Sequence, residues 1–197
     1  MGLRVVAGSC RGRRLVTPEG NDVRPTSDRV REAVFNSLGS MGALGGASVL
    51  DLFAGSGAMG IEALSRGAEH VTFVDGSPHA IRAITANLDT CDLADRATVV
   101  RSESVRFLKS GSNGGESRRY DLAVLDPPYE FDDWAALLGL VDASVVLIES
   151  NRRVDLPAAG LNGEFTLSRE RRYGGTFVTI AISERRETHD RTSEGHT

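Results

Sequence analysis

The chain has 197 residues and a mass of 21.1 kDa, 40% apolar and 25% charged, which fits one globular domain and excludes a largely disordered chain or one that needs a disulfide or metal staple. A net charge of −4 excludes a uniformly basic nucleic-acid binder, yet the first 31 residues hold seven arginines against three acids. Cys10 and Cys91 are far apart and neither lies in a Cys-x-x-Cys pair, and no apolar run approaches the ~18 residues of a membrane helix; a disulfide framework, a metal site and a spanning segment are not expected, and a cytoplasmic address is. Leu3–Ala7 and Arg14–Thr17 read as two short strands joined by a basic, glycine-containing turn. Pro18–Pro25 reads as a loop. A helix then starts from a cap at Thr26 or Ser27, with Val30, Ala33, Val34, Leu38 and Met41 at helical spacing.

From Ser48 the pattern becomes strand, loop, helix, repeated. The strands are Ser48–Leu52, His70–Asp75, Ala97–Val100, Asp121–Leu125 and Ser144–Glu149. The helices are Ala58–Arg66, Pro78–Leu88, the short Val105–Lys109 and Trp134–Leu140. Phe165–Glu170 and Thr176–Ser183 flank Tyr173-Gly174-Gly175 and read as an antiparallel hairpin. Such alternation predicts an α/β fold: an open, mostly parallel sheet with helices on both faces. The expected organisation is an arm over 1–25, a main domain over 26–183 and a disordered tail over 184–197.

Asp51-Leu52-Phe53-Ala54-Gly55-Ser56-Gly57-Ala58-Met59-Gly60 follows the first parallel strand and opens a helix, so Gly55, Gly57 and Gly60 form a G-x-G-x-x-G run in its proper context. Glycines there let a ligand approach the backbone, and the helix N-terminus favours an anion. Asp75 closes the next strand twenty residues after Gly55 and can accept from both hydroxyls of a ribose. The cofactor is therefore expected to contain a nucleoside. Asp51, four residues before Gly55, would repel the pyrophosphate of a dinucleotide but suits the ammonium of a methionine moiety, which favours S-adenosylmethionine over NAD.

Asp126-Pro127-Pro128-Tyr129 ends the fourth parallel strand, where ligands bind in open α/β sheets. Two prolines stiffen the turn and remove two N–H donors. The Asp126 carboxylate and the Pro127 carbonyl can accept the two hydrogens of an exocyclic amine, and Tyr129 can stack on a planar base.

Together these motifs resemble the class I methyltransferases that modify exocyclic amines. The match is closer to the bacterial 16S rRNA guanine-N2 methyltransferase family of the RsmD type, through RVVAGSCRGRRL and RPTSDRVREAVF within residues 4–35, DLFAGSGAMGIEALSRGA at 51–68 and LDPPYE at 125–130. The resemblance implies a Rossmann-like, seven-stranded sheet ending in an antiparallel hairpin, plus a small N-terminal β-hairpin extension. It implies that Gly55, Ser56 and Gly57 line the methionine part of S-adenosylmethionine, beside Asp51, and that Asp75 holds the ribose. Glu103 falls near the adenine amine, where the family carries Asp followed by Ala and this chain has Glu103-Ser104. Phe53, Gly76 and Ser104 border the same site. Asp126, Pro127, Pro128 and Tyr129 hold the target guanine. The expected partner is 16S rRNA inside an assembling small ribosomal subunit, engaged by a monomer with no metal.

Arg11, Arg13 and Arg14 of the arm are expected to grip RNA phosphates, with Arg24, Arg29 and Arg31 as secondary contacts. Trp134 reads as helix packing, and Asn87 as packing or capping near the cofactor rim. An adenine-N6 methyltransferase would use the same four-residue turn. An NAD-dependent oxidoreductase is disfavoured by Asp51, and a non-catalytic RNA-binding assembly factor by the intact turn.

Overall fold

The computed structural model describes residues 2–19, 27–112, 119–156 and 165–184. Helix α1 (Asp28–Ser40) starts at Ser27, whose hydroxyl accepts from the Val30 N–H, and buries Val34, Phe35 and Leu38. Then come β1 (Ser48–Leu52), α2 (Ala58–Ser65), β2 (His70–Asp75), α3 (Pro78–Cys91), β3 (Ala97–Arg101), α4 (Ser104–Ser112), β4 (Tyr120–Leu125), α5 (Trp134–Leu138), β5 (Ala143–Ser150), β6 (Phe165–Tyr173) and β7 (Thr176–Ser183). Helix α3 runs three residues past the expected end at Leu88, until Asp92 turns left-handed at φ 57°. Ser77 caps its other end and Pro78 fills the first turn, where a missing N–H costs nothing.

The seven strands form one sheet in the order β3-β2-β1-β4-β5-β7-β6. Neighbours are parallel from β3 through β5, and β7 runs antiparallel to both β5 and β6. Alternate side chains go to opposite layers. Val49, Val71, Phe73, Leu122 and Val124 face α1, α2 and α3, with Phe35, Leu64 and Ile84. Leu50, Val74, Ala123 and Leu125 face α4 and α5, with Leu108, Trp134 and Leu137. Among the described residues no helix is long and apolar enough to cross a membrane.

The arm departs from expectation. Its two segments make a single bridge, Arg4 with Arg14, supported by Val5 N–H to Arg13 O at 3.0 Å and Leu15 N–H to Leu3 O at 2.9 Å. The reason is competition for backbone donors. Val6 and Ala7 donate instead to the two carboxylate oxygens of Glu62 at 2.7 and 3.0 Å, and Val16 donates to Asn87 at 2.7 Å. Val5, Cys10 and Leu15 are buried in the same core as α1, α2 and α3. The proposed tail from residue 185 onward lies outside the described residues, as do Thr26 and Arg24.

Candidate active site

The strand order reverses direction at β1 and β4, and Leu52 lies beside Leu125 at their C-terminal ends. The glycine turn and the Asp126 turn are therefore neighbours at the switch point of the sheet, the place where such folds bind ligands. The turn after β1 needs three left-handed residues: Phe53 at φ 65°, Gly55 at 55° and Gly57 at 75°. Phe53 adopts a conformation that few non-glycine residues tolerate, a form of strain that collects at functional sites. Gly60 serves packing: a Cβ there would sit 2.3 Å from Phe73 Cε1, so only glycine lets α2 lie this close to β2.

Helix α2 has no side-chain cap at Gly57. Asp51 supplies one from beneath, its Oδ2 accepting from the Gly60 N–H at 2.8 Å. This carboxyl is 2% exposed, and burial pushes it up to about 7, against the pull of the Gly60 N–H and with the Asp75 charge adding to the rise. Asp75 accepts from Gly55 N–H through Oδ2 at 2.9 Å and from Ser77 N–H through Oδ1 at 2.8 Å. Each oxygen keeps a lone pair for a further donor. Beyond it, a Cβ on Gly76 would meet Glu103 Oε1 at 2.5 Å, so Glu103 lies directly over that peptide. Ser104 is buried at the start of α4.

On the β4 side Asp126 is half-buried, Pro127 is buried, and Pro128 and Tyr129 are exposed, the tyrosine by 55%. Burial raises the Asp126 carboxyl well above the usual carboxylate range, and Glu149 and then Asp51 raise it further by like charge. An aromatic chain joins the two turns: Phe53 meets Phe131 at 5.7 Å between ring centroids, and Phe131 meets Trp134 at 5.2 Å, both edge to face. A narrow, shallow cleft lies beside the turn, lined by Pro127, Pro128, Tyr129, Phe131, Asn151 and Arg152 among others. Arg152 Nη2 donates to Phe131 O at 3.1 Å, and Ser150 Oγ donates to Arg152 O at 2.6 Å, which fixes the end of β5 against the turn.

Glu149, Asn151 and Arg152 escaped the sequence reading. Their one signal was position: they end a parallel strand on the side where both motifs end. Phe131 escaped because its loop has no periodicity. Asn87 is buried, as a packing residue should be, but it also donates to Ser56 O in the glycine turn at 2.8 Å.

The arginines divide. Arg11, Arg14 and Arg29 are exposed. Arg13 donates to Thr90 O at 2.8 Å and reaches Asp92 Oδ2 at 3.4 Å, so its guanidinium is tied to the end of α3. Arg31 is a correction. It is 1% exposed, pairs with Asp28 at 2.9 Å and Glu62 at 3.8 Å and donates to Arg4 O, so it pins α1 to the arm and does not face RNA. Among the described residues no group of acids, histidines or cysteines has metal-site geometry.

The profile of the family described as Conserved hypothetical protein 95 matches residues 3–182. The chain belongs to that family. Relatives include Bacillus subtilis YlbH, 40% identical over 185 residues that cover 90% of this chain and 97% of that one. Another is Escherichia coli ribosomal RNA small subunit methyltransferase D, 36% identical over 149 residues, 76% of this chain and 68% of its own. Among solved structures, Escherichia coli yhhF superposes with a TM-score of 0.77 at 31% identity, over 93% of this chain and 99% of that one. The family is the one the sequence motifs resembled, and the sheet has the class I methyltransferase order with its antiparallel end.

Proposed function

We propose that the protein transfers a methyl group from S-adenosylmethionine to the exocyclic N2 amine of a guanine in small-subunit (16S) ribosomal RNA, within an assembling subunit in the cytoplasm. The observation that carries this reading is the adjacency of the glycine turn and the Asp126 turn, tied through Phe53 and Phe131. A relative named for small-subunit rRNA methylation, 36% identical, supports the substrate class.

The residues fit the cofactor. Gly55 has open space where a Cβ would stand, apart from Phe53 O at 3.9 Å, so the turn offers bare backbone to a ligand. Asp75 keeps acceptor capacity for a ribose, and Glu103 over Gly76 marks where an adenine edge would lie. Glu149 and Asp51 both raise the proton affinity of Asp126 by like charge, and a cationic ligand relieves that repulsion. S-adenosylmethionine supplies a methyl group on a sulfonium, so no metal or covalent enzyme intermediate is needed.

The chain's own residues then orient the acceptor. Tyr129 offers its ring face to a base that has left its stack, which is cheapest in a loop. Asp126 and the Pro127 carbonyl accept the two N2 hydrogens and hold the nitrogen in line for attack. With the donor bound, its sulfonium would give up the methyl to N2, and the Asp126 carboxylate would take the proton the nitrogen loses. Its raised proton affinity suits that task. Asn151 and Arg152 place donors beside the turn, as does Trp134, whose buried Nε1 has no partner among the described residues. Guanine offers the acceptors O6 and N7 to such donors, whereas adenine puts an amine at the first position.

Labelled S-adenosylmethionine is incubated with small subunits from cells lacking the protein, and the labelled nucleotide is mapped by digestion. Label on guanine N2 is expected, and label on adenine or none refutes the reading. Asp126→Ala should keep cofactor binding and lose at least ~100-fold in transfer, the usual worth of a proton-transfer group. Unchanged turnover removes its catalytic role.

A further inference from the structure

Asn87 stands two-thirds of the way along α3 and is 1% exposed. Its amide makes three hydrogen bonds. Oδ1 accepts from the Val16 N–H at 2.7 Å, and Nδ2 donates to Val16 O at 2.9 Å and to Ser56 O at 2.8 Å. Toward the arm, Asn87 acts as a strand partner would, taking both backbone groups of one residue. Toward the glycine turn, it holds a single carbonyl.

That carbonyl belongs to the peptide between Ser56 and Gly57. The nitrogen side of the same peptide donates to Ala54 O at 2.7 Å. Gly55 and Gly57 on either side are left-handed, at φ 55° and 75°. Glycine dihedrals are soft, so a turn with two such residues keeps its peptide planes only where hydrogen bonds fix them. Asp75 fixes the Gly55 N–H from one side, and Asn87 fixes Ser56 O from the other. Without Asn87 this part-buried carbonyl loses its side-chain donor, and the plane is held only by the Gly57 N–H to Ala54 O bond.

The second half of the observation is where Val16 lies. It follows the exposed Arg14 by two residues, and Leu15 between them is anchored in the core. One amide therefore bonds to the polyanion-facing arm and the cofactor turn at once. We propose that Asn87 is a positioning residue for the cofactor turn, and that through it RNA held by the arm and cofactor held by the turn tighten each other's binding. This rests on the cofactor and RNA assignments made above.

Calorimetry with S-adenosylhomocysteine on the full chain tests the first half. Asn87→Asp keeps the acceptor for the Val16 N–H and loses both donations. Asn87→Leu loses all three bonds. Both should bind at least 10-fold more weakly, with kcat at saturating cofactor within twofold of wild type. Ile180→Ala, a cavity in β7 three strands along the sheet from β1, should lower the melting temperature as far and leave affinity within twofold. Asn87→Asp binding as tightly as wild type, or Ile180→Ala weakening binding equally, overturns the positioning role.

The second half is tested without relying on any variant's folding. Wild-type affinity for immature small subunits is measured with and without S-adenosylhomocysteine. A gain of fivefold or more is expected, and by linkage the subunits must tighten the small molecule by the same factor. A ratio of one overturns the coupling. If wild type shows no heat with S-adenosylhomocysteine, the cofactor assignment fails; if wild type binds and Asn87→Asp matches it, only the positioning inference fails.

Discussion

Asp51→Asn should make the ligand-free protein more stable and a poorer binder of its cofactor. Asp51 is 2% exposed, and its pKa stands at about 7 against an ordinary 3.8. A carboxyl raised in the folded state stabilises the fold in its protonated form. That contribution is complete below about pH 4 and is lost as the pH climbs through about 7. Three units correspond to ~4 kcal/mol as an upper bound, and relaxation around the charge brings the working figure to ~2 kcal/mol. Asparagine keeps an oxygen for the Gly60 N–H, which Asp51 now meets at 2.8 Å, and never carries the charge. At ~2–4 °C per kcal/mol for a chain of this size, the variant should melt ~4–8 °C above wild type at pH 8. Calorimetric melting from pH 4.5 to 8.5 without cofactor should show the two proteins converging at the acid end. The same variant should bind S-adenosylmethionine ~10-fold more weakly, having lost an anion near a cation. A pH-independent difference, or a less stable variant at pH 8, refutes the account.

Glu62→Gln removes the charge that holds Arg31 and Arg66 and weakens acceptance from Val6 and Ala7, so ~3–5 kcal/mol should be lost, read as a lower urea midpoint. Replacing the exposed Arg11 and Arg14 by Gln should reduce the slope of log K for RNA against log salt by ~1.5, whereas Arg13→Gln, already tied to α3, should change the slope little. Titrations in buffers of different ionisation enthalpy should show proton release when cofactor binds near pH 7, since a nearby cation pulls the Asp51 carboxyl down from about 7; release absent at pH 7 contradicts a cation beside that group.

The parallel core was legible because its strands are short apolar runs bounded by glycine and aspartate, and their positions agree within a residue or two. The two motifs were legible because each ends a strand and chain direction alone brings those ends together. What sequence could not show was how buried polar groups are spent. Glu62 and Arg31 look like surface charges on amphipathic helices. Their burial follows only once the arm's Val6 and Ala7 N–H groups need acceptors and find no strand partner. The two acids that bear on Asp126 were invisible as a set for a similar reason: Asp51 and Glu149 come from β1 and β5, and their like charge reaches Asp126 only after β1, β4 and β5 align.

The arm is better understood as a brace on α2 and α3 than as an appendage. Helices α2 and α3 begin at the glycine turn and after Asp75, and each turns one buried polar side chain toward the arm: Glu62 from α2 and Asn87 from α3. Ser65 adds a third link, donating to Ala7 O and accepting from the Cys10 N–H. The arm therefore bridges the two helices whose N-termini frame the ligand, and its apolar residues bury against both. A segment built this way cannot shift without disturbing the Asn87 hydrogen bond to Ser56 O in the glycine turn. On the proposed function, that arrangement gives a physical reason for phosphate-contacting residues to stand on the short N-terminal segment: the hydrogen bonds that seat the arm also reach the turn proposed to hold the cofactor.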